Sequence, residues 1–143
     1  MPVRAEQNHR LNWPNIIDMK EYLDTIKALL KENKTTGGNH SEAMLHYSKM
    51  NLSRMKRWMK AGVMNPELEE AVKAISEPQT WVVLTEAWCG DSAQNVPWLE
   101  HFLNAFNPKI ETFYFFRDEH PDLMNQFLTN GSRSIPKAVF LSS

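Results

Sequence analysis

The chain has 143 residues, 42% hydrophobic and 23% charged, with a net charge of −1 and a single cysteine. That length suits one domain, or one domain with a helical extension, and the composition excludes wholesale disorder. The near-zero charge argues against nucleic acid or an anionic membrane as partner, no apolar run reaches the length of a membrane span, and one cysteine cannot close an internal disulfide.

Residues 1–10 carry no apolar stretch of the signal-peptide kind, and nothing points to an oxidising compartment, so a cytoplasmic protein is expected. The first predicted helix covers 17–31, where Met19, Tyr22, Leu23, Ile26, Leu29 and Leu30 recur at helical spacing. Gly37 and Gly38 break the pattern. Ser41 reads as the N-cap of a second helix ending near Gly62, with Leu45, Leu52, Met55 and Met59 as its apolar stripe. Asn65 and Pro66 open a third helix with Leu68, Val72 and Ile75 inward, and Pro78 follows its end.

The pattern then changes. Residues 81–85, Trp-Val-Val-Leu-Thr, form a continuous β-prone run, the mark of a strand buried on both faces. A helix over about 90–105 follows, then a second strand over 112–116. Asp118 reads as the cap of a helix carrying Leu123, Phe127 and Leu128, ended by Asn130 and Gly131. Residues 137–141 make a third strand. This order predicts an α/β fold with the first two strands parallel, and a division into a helical extension, 1–78, and an α/β module, 79–143.

Cys89 falls where a buried strand meets a helix N-terminus, a position whose free amides and dipole favour a thiolate. A free cysteine is as readily a small buried hydrophobe, and position alone leaves both readings open. Glu86 and Asp91 flank it either as acids that tune the thiol or as ordinary loop residues, Asp91 suiting the helix N-terminus. The five methionines from Met44 to Met64 read as core in preference to an adaptable binding surface. The basic cluster Arg54, Lys56 and Arg57 reads as a solvated helix face in preference to a phosphate site. The histidines show no ligand spacing with Cys89, so neither a metal nor a cofactor is expected.

Glu86-Ala87-Trp88-Cys89-Gly90 after a buried strand resembles the active-site entry of the thioredoxin family. Pro97, eight residues after Cys89, is similar to the proline inside that family's active-site helix, and Ser134-Ile135-Pro136 resembles its cis-proline loop. The resemblance covers roughly 80–141 and, with the upstream helices, extends to a bacterial subgroup with a helical N-terminal region. It implies a thioredoxin-like fold, a nucleophilic Cys89, and substrate contacts from Trp88, Gly90, Asp91, Ile135 and Pro136. Three features depart from the family. Ser92 stands where the resolving cysteine belongs, and Val83 where many members bury an aspartate. The family's last strand and helix have no counterpart after Leu141, so a truncated chain is expected, with the N-terminal helices covering a sheet face or a second molecule pairing with the 137–141 edge. The implied activity is monothiol exchange through Cys89, with Ser92 unable to resolve, on a protein or low-molecular-weight thiol or disulfide. A non-catalytic peptide-binding module is the alternative.

Overall fold

The computed structural model describes residues 15–61 and 65–141. The stretch 1–10, the helix end at Gly62, Met64 and Ser143 lie outside them. The elements are α1 (Met19–Lys31), α2 (Glu42–Ala61), α3 (Pro66–Lys73), β1 (Gln79–Thr85), α4 (Gly90–Phe106), β2 (Ile110–Phe116), a 3-10 turn (Arg117–Glu119), α5 (Pro121–Met124) and β3 (Lys137–Leu141).

The caps explain where the helices begin. The Asp18 carboxylate accepts the Glu21 N–H at 2.9 Å, so α1 starts two residues later than the periodicity alone indicates. Ile17, predicted as helix, instead pairs with Tyr114, each donating its N–H to the other's carbonyl at 3.2 and 2.8 Å. Ser41 Oγ accepts the Met44 N–H, and Asn65 Oδ1 accepts those of Glu67 and Leu68. Leu68 corrects the predicted inward face of α3: it is 40% exposed, while Val72 joins the buried cluster with Leu103 and Ile110 and the partly buried Ile75 packs against it.

The sheet has the order β2-β1-β3. β1 runs parallel to β2, with Val83 opposite Tyr114, and antiparallel to β3, with Val82 opposite Val139. As the central strand β1 is covered on both sides, which its unbroken apolar run requires. On one side Val83, Tyr114 and Phe116 pack with Met19, Tyr22 and Ile26 of α1, Met55 of α2, and Ala93 and Val96 of α4. The predicted stripe of α2 serves this core through Met55, Leu52 and Met59, whereas Leu45 is outside it. On the other side Val82, Leu84, Phe113 and Phe115 meet Ile16 and Met124, with Ile135 and Leu141 at the margin. The N-terminal helices thus share one core with the sheet.

The segment after β2 departs from the predicted single helix. Phe127 and Leu128 lie beyond α5, and Leu128 is 39% exposed. Two features, one distant in sequence and one local, accompany the break. The Asp118 N–H is taken by Glu86 Oε2 at 3.3 Å, and Pro121 restarts the chain at the first position of a helix ending at Met124. Asn130 and Gly131, both at positive φ, are not a helix cap: they form a two-residue turn in which Thr129 and Ser132 exchange backbone hydrogen bonds at 2.9 Å. That turn leads into Ile135-Pro136 and β3. β3 lies at the sheet edge, with Phe140 61% exposed and its ring tilted against Trp81 at 4.2 Å between ring centroids. Among the described residues no helix is long and apolar enough to cross a membrane, and no group of acids, histidines and cysteine is placed to hold a metal ion.

Candidate functional site

β1 ends at Thr85 and the chain turns through Glu86, Ala87 and Trp88 into α4. The Cys89 N–H donates to the Glu86 carbonyl at 3.2 Å, closing that turn. Cys89 is then the N-cap of α4: its sulfur accepts the Ser92 N–H at 3.4 Å, taking the place of the oxygen a serine or aspartate supplies in most helices. The half-buried thiol also lies 3.8 Å from the Ile135 carbonyl oxygen, across 46 residues of sequence. The Ile135-Pro136 peptide bond is cis. Cys89, Ser92, Ile135 and Pro136 are therefore brought together from two loops.

Ser92 is buried at 1% exposure, and its hydroxyl has no hydrogen-bond partner among the described residues. Trp88 is half-buried with the Arg117 guanidinium 5.1 Å above its ring, a cation–π contact. Gly90 begins α4, and Asp91 is exposed in its first turn, where a negative charge suits the helix dipole.

Sequence reasoning missed the residues that hold this loop. The Thr36 hydroxyl accepts the Ala87 N–H at 2.9 Å, and the Asn51 side-chain amide donates to the Ala87 carbonyl at 3.0 Å. Both backbone groups of one residue, two positions before the thiol, are satisfied by buried side chains from the N-terminal segment. Neither contact leaves a trace in local spacing. Arg54 in turn donates to Asn51 Oδ1 at 3.0 Å.

Glu86 is fully buried. One carboxylate oxygen receives the Asp118 N–H, and the other, Oε1, has no hydrogen-bond partner among the described residues. Burial pushes its carboxyl up from the ordinary value of 4.5 and the nearby Asp118 charge adds to this, while the Thr36 hydroxyl and Arg117 oppose it. Asp118 is bound by Arg117 Nε at 2.9 Å and lies 3.6 Å from Arg133, and Arg117 also donates to the Arg133 carbonyl at 3.1 Å. These links tie the Trp88 loop to the turn after β2 and to the segment before Pro136.

A cleft of about 370 Å³ opens between α2 and this loop, bordered by Tyr47, Met50, Asn51, Arg54, Trp88 and Gly90. A larger one, about 690 Å³, lies between α1 and the middle of α4 beside Glu100 and His101, and no predicted site residue lines it.

A three-stranded sheet with parallel β1 and β2, antiparallel β3, a cysteine capping the helix after β1 and a cis-proline beside its sulfur defines a thioredoxin-like α/β protein. A family model described as thioredoxin matches residues 37–143, and the chain belongs to that family. The match begins at Gly37, so α2 and α3 fall within it. No curated protein matches the chain. Among solved structures, it is similar to a protein of unknown function from Pseudomonas aeruginosa, at 19% identity over 88% of this chain and 70% of that one, with a TM-score of 0.49.

Proposed function

We propose that this protein carries out thiol–disulfide exchange through Cys89 alone, in a reducing compartment such as the cytoplasm. The observation that supports it is the setting of the sulfur: capped by the Ser92 N–H at 3.4 Å, and beside the Ile135 carbonyl at 3.8 Å. In the exchange the Cys89 thiolate attacks one sulfur of a substrate disulfide. A bond forms between Cys89 and that sulfur, the substrate S–S bond breaks, and the other half leaves as a thiolate that takes a proton from solvent. Trp88, Gly90, Asp91, Ile135 and Pro136 line the approach. Ser92 carries a hydroxyl, which cannot attack the mixed disulfide and form a second S–S bond, so a thiol from solution releases the product.

Incubation with oxidised glutathione followed by intact mass measurement tests the reading. The expected result is one glutathione per chain, absent in Cys89→Ser and removed by added thiol. A native chain that stays unmodified while the unfolded chain reacts defeats the exchange reading and favours a non-catalytic binding module.

A further inference from the structure

We propose that the cleft between α2 and the active loop is a subsite for the carboxylate end of a small disulfide, with Arg54 as its counter-ion. This rests on the reading of Cys89 as the exchange nucleophile and names the substrate class for it. The cleft is bounded by Trp88 and Gly90, the two residues on either side of Cys89, so a molecule seated there lies against the loop that carries the sulfur. At about 370 Å³ it lies at the small end of ligand pockets, which run from roughly 300 to 1,000 Å³. That size suits a small molecule or short peptide.

Its chemistry is specific. Tyr47, 48% exposed, and Met50 offer apolar wall. Arg54 supplies the charge, and among the described residues it forms no ion pair. Its one described hydrogen bond, Nη1 to Asn51 Oδ1, leaves further donors of a planar fork that matches a carboxylate. The cation is also held in register with the reactive loop. Arg54 is fixed on Asn51, Asn51 is fully buried and fixed on the Ala87 carbonyl, and Arg54 Nη1 lies 3.9 Å from where a Cβ on Gly90 would stand. Substrate charge placed there meets the first residue of α4, where the helix dipole also favours an anion. Asp91, exposed in the same first turn, disfavours a second anionic group on its side and so orients the molecule with its carboxylate toward α2.

The experiment compares exchange rates of the intact chain with two disulfides of opposite charge, oxidised glutathione and cystamine. In Arg54→Gln the ratio of the glutathione rate to the cystamine rate falls by about tenfold, the scale of one charge-assisted hydrogen bond. Arg54→Lys retains part of the preference, since it keeps the charge without the fork. An unchanged ratio, including an equal loss with both disulfides, overturns the subsite and leaves Arg54 as a support for Asn51. A second arm does not depend on exchange. In Cys89→Ser the Trp88 indole N–H resonance shifts with S-methylglutathione, and Arg54→Gln abolishes the shift. Binding in that arm with no exchange at Cys89 defeats the functional reading alone; exchange without charge preference or binding defeats the subsite alone.

Discussion

The Asn51 side-chain amide donates to the Ala87 carbonyl at 3.0 Å, joining the middle of α2 to the residue two positions before the thiol. Thr36 accepts from the N–H of the same residue. The loop that carries Cys89 is thus shaped by side chains that arrive from the N-terminal segment, beyond what the strand and helix on either side of it provide. Asn51→Ala strands a buried carbonyl and costs about 1–3 kcal/mol in urea unfolding. Asn51→Asp, which sets a carboxylate oxygen against the carbonyl, costs more. Both variants slow modification of Cys89 by an aromatic disulfide. Wild-type stability in Asn51→Ala would show that the contact contributes nothing to the fold.

On the proposed chemistry, Ser92→Cys converts a chain that retains its adduct into one that releases it. The native hydroxyl is buried and has no hydrogen-bond partner among the described residues, so replacing it by a thiol sacrifices no described bond. The new thiol stands in the first turn of α4, whose N-cap is Cys89. The expected outcome is loss of the glutathione adduct in favour of an internal disulfide, with release of reduced glutathione, seen as a mass two hydrogen atoms lighter than the reduced chain. Persistence of the adduct in Ser92→Cys counts against the placement of these two side chains.

Much of this architecture was legible because it depends on short-range pattern. The run 81–85 is unbroken because β1 is central, and Asn65-Pro66 caps α3 as its side-chain chemistry requires. Cys89 announces itself by lying between a buried strand and a helix. What escaped was set by partners distant in sequence. Ile17 leaves the helix because Tyr114 offers both its backbone groups, and the segment after Asp118 breaks because Glu86 claims its N–H. Thr36 and Asn51 are polar residues with no periodic signature. Their role exists only once α2 is laid against the sheet.

The buried acids set the pH dependence of stability. Burial holds the Glu86 carboxyl above the ordinary 4.5, helped by Asp118, and burial does the same to Glu100, with the Thr112 and Tyr114 hydroxyls opposing. A raised carboxyl binds its proton more tightly folded than unfolded. Its stabilisation is complete below the unfolded value and is lost as pH rises through the folded one. Glu86→Gln removes that loss, so the melting temperature of the variant rises relative to wild type as pH climbs above 4.5, then the gap levels off. His120 acts from the other side: burial against Phe115 lowers it from 6.5, so its contribution is present above that value and lost on acidification. A gap between Glu86→Gln and wild type that narrows with rising pH contradicts the assignment to Glu86.

Three glycines separate the backbone cost of an alanine from its steric cost. Gly37 has φ +79, and a Cβ there would lie 2.8 Å from Asp118 Oδ2, 3.1 Å from Glu86 Oε1 and 3.4 Å from Trp88 Nε1. Gly131 has nearly the same backbone, φ +78, with nothing within 4 Å of an added Cβ. Gly38 has open space as well and is not among the residues at positive φ. Gly38→Ala therefore leaves stability unchanged or raises it by up to about 1 kcal/mol, because it restricts the unfolded chain. Gly131→Ala costs about 1–2 kcal/mol, the penalty for a side chain in the left-handed region. Gly37→Ala costs that amount plus the displacement of two carboxylates, one of them on the fully buried Glu86, which has little room to retreat. Because Asp118 is bound to Arg117 and Arg117 stacks on Trp88, the displacement reaches the residue next to the thiol. Gly37→Ala is then the variant of the three that both destabilises most and slows exchange at Cys89. Equal unfolding costs for Gly37→Ala and Gly131→Ala, measured in urea, would mean that the loop at Gly37 does not close over the acid pair as described.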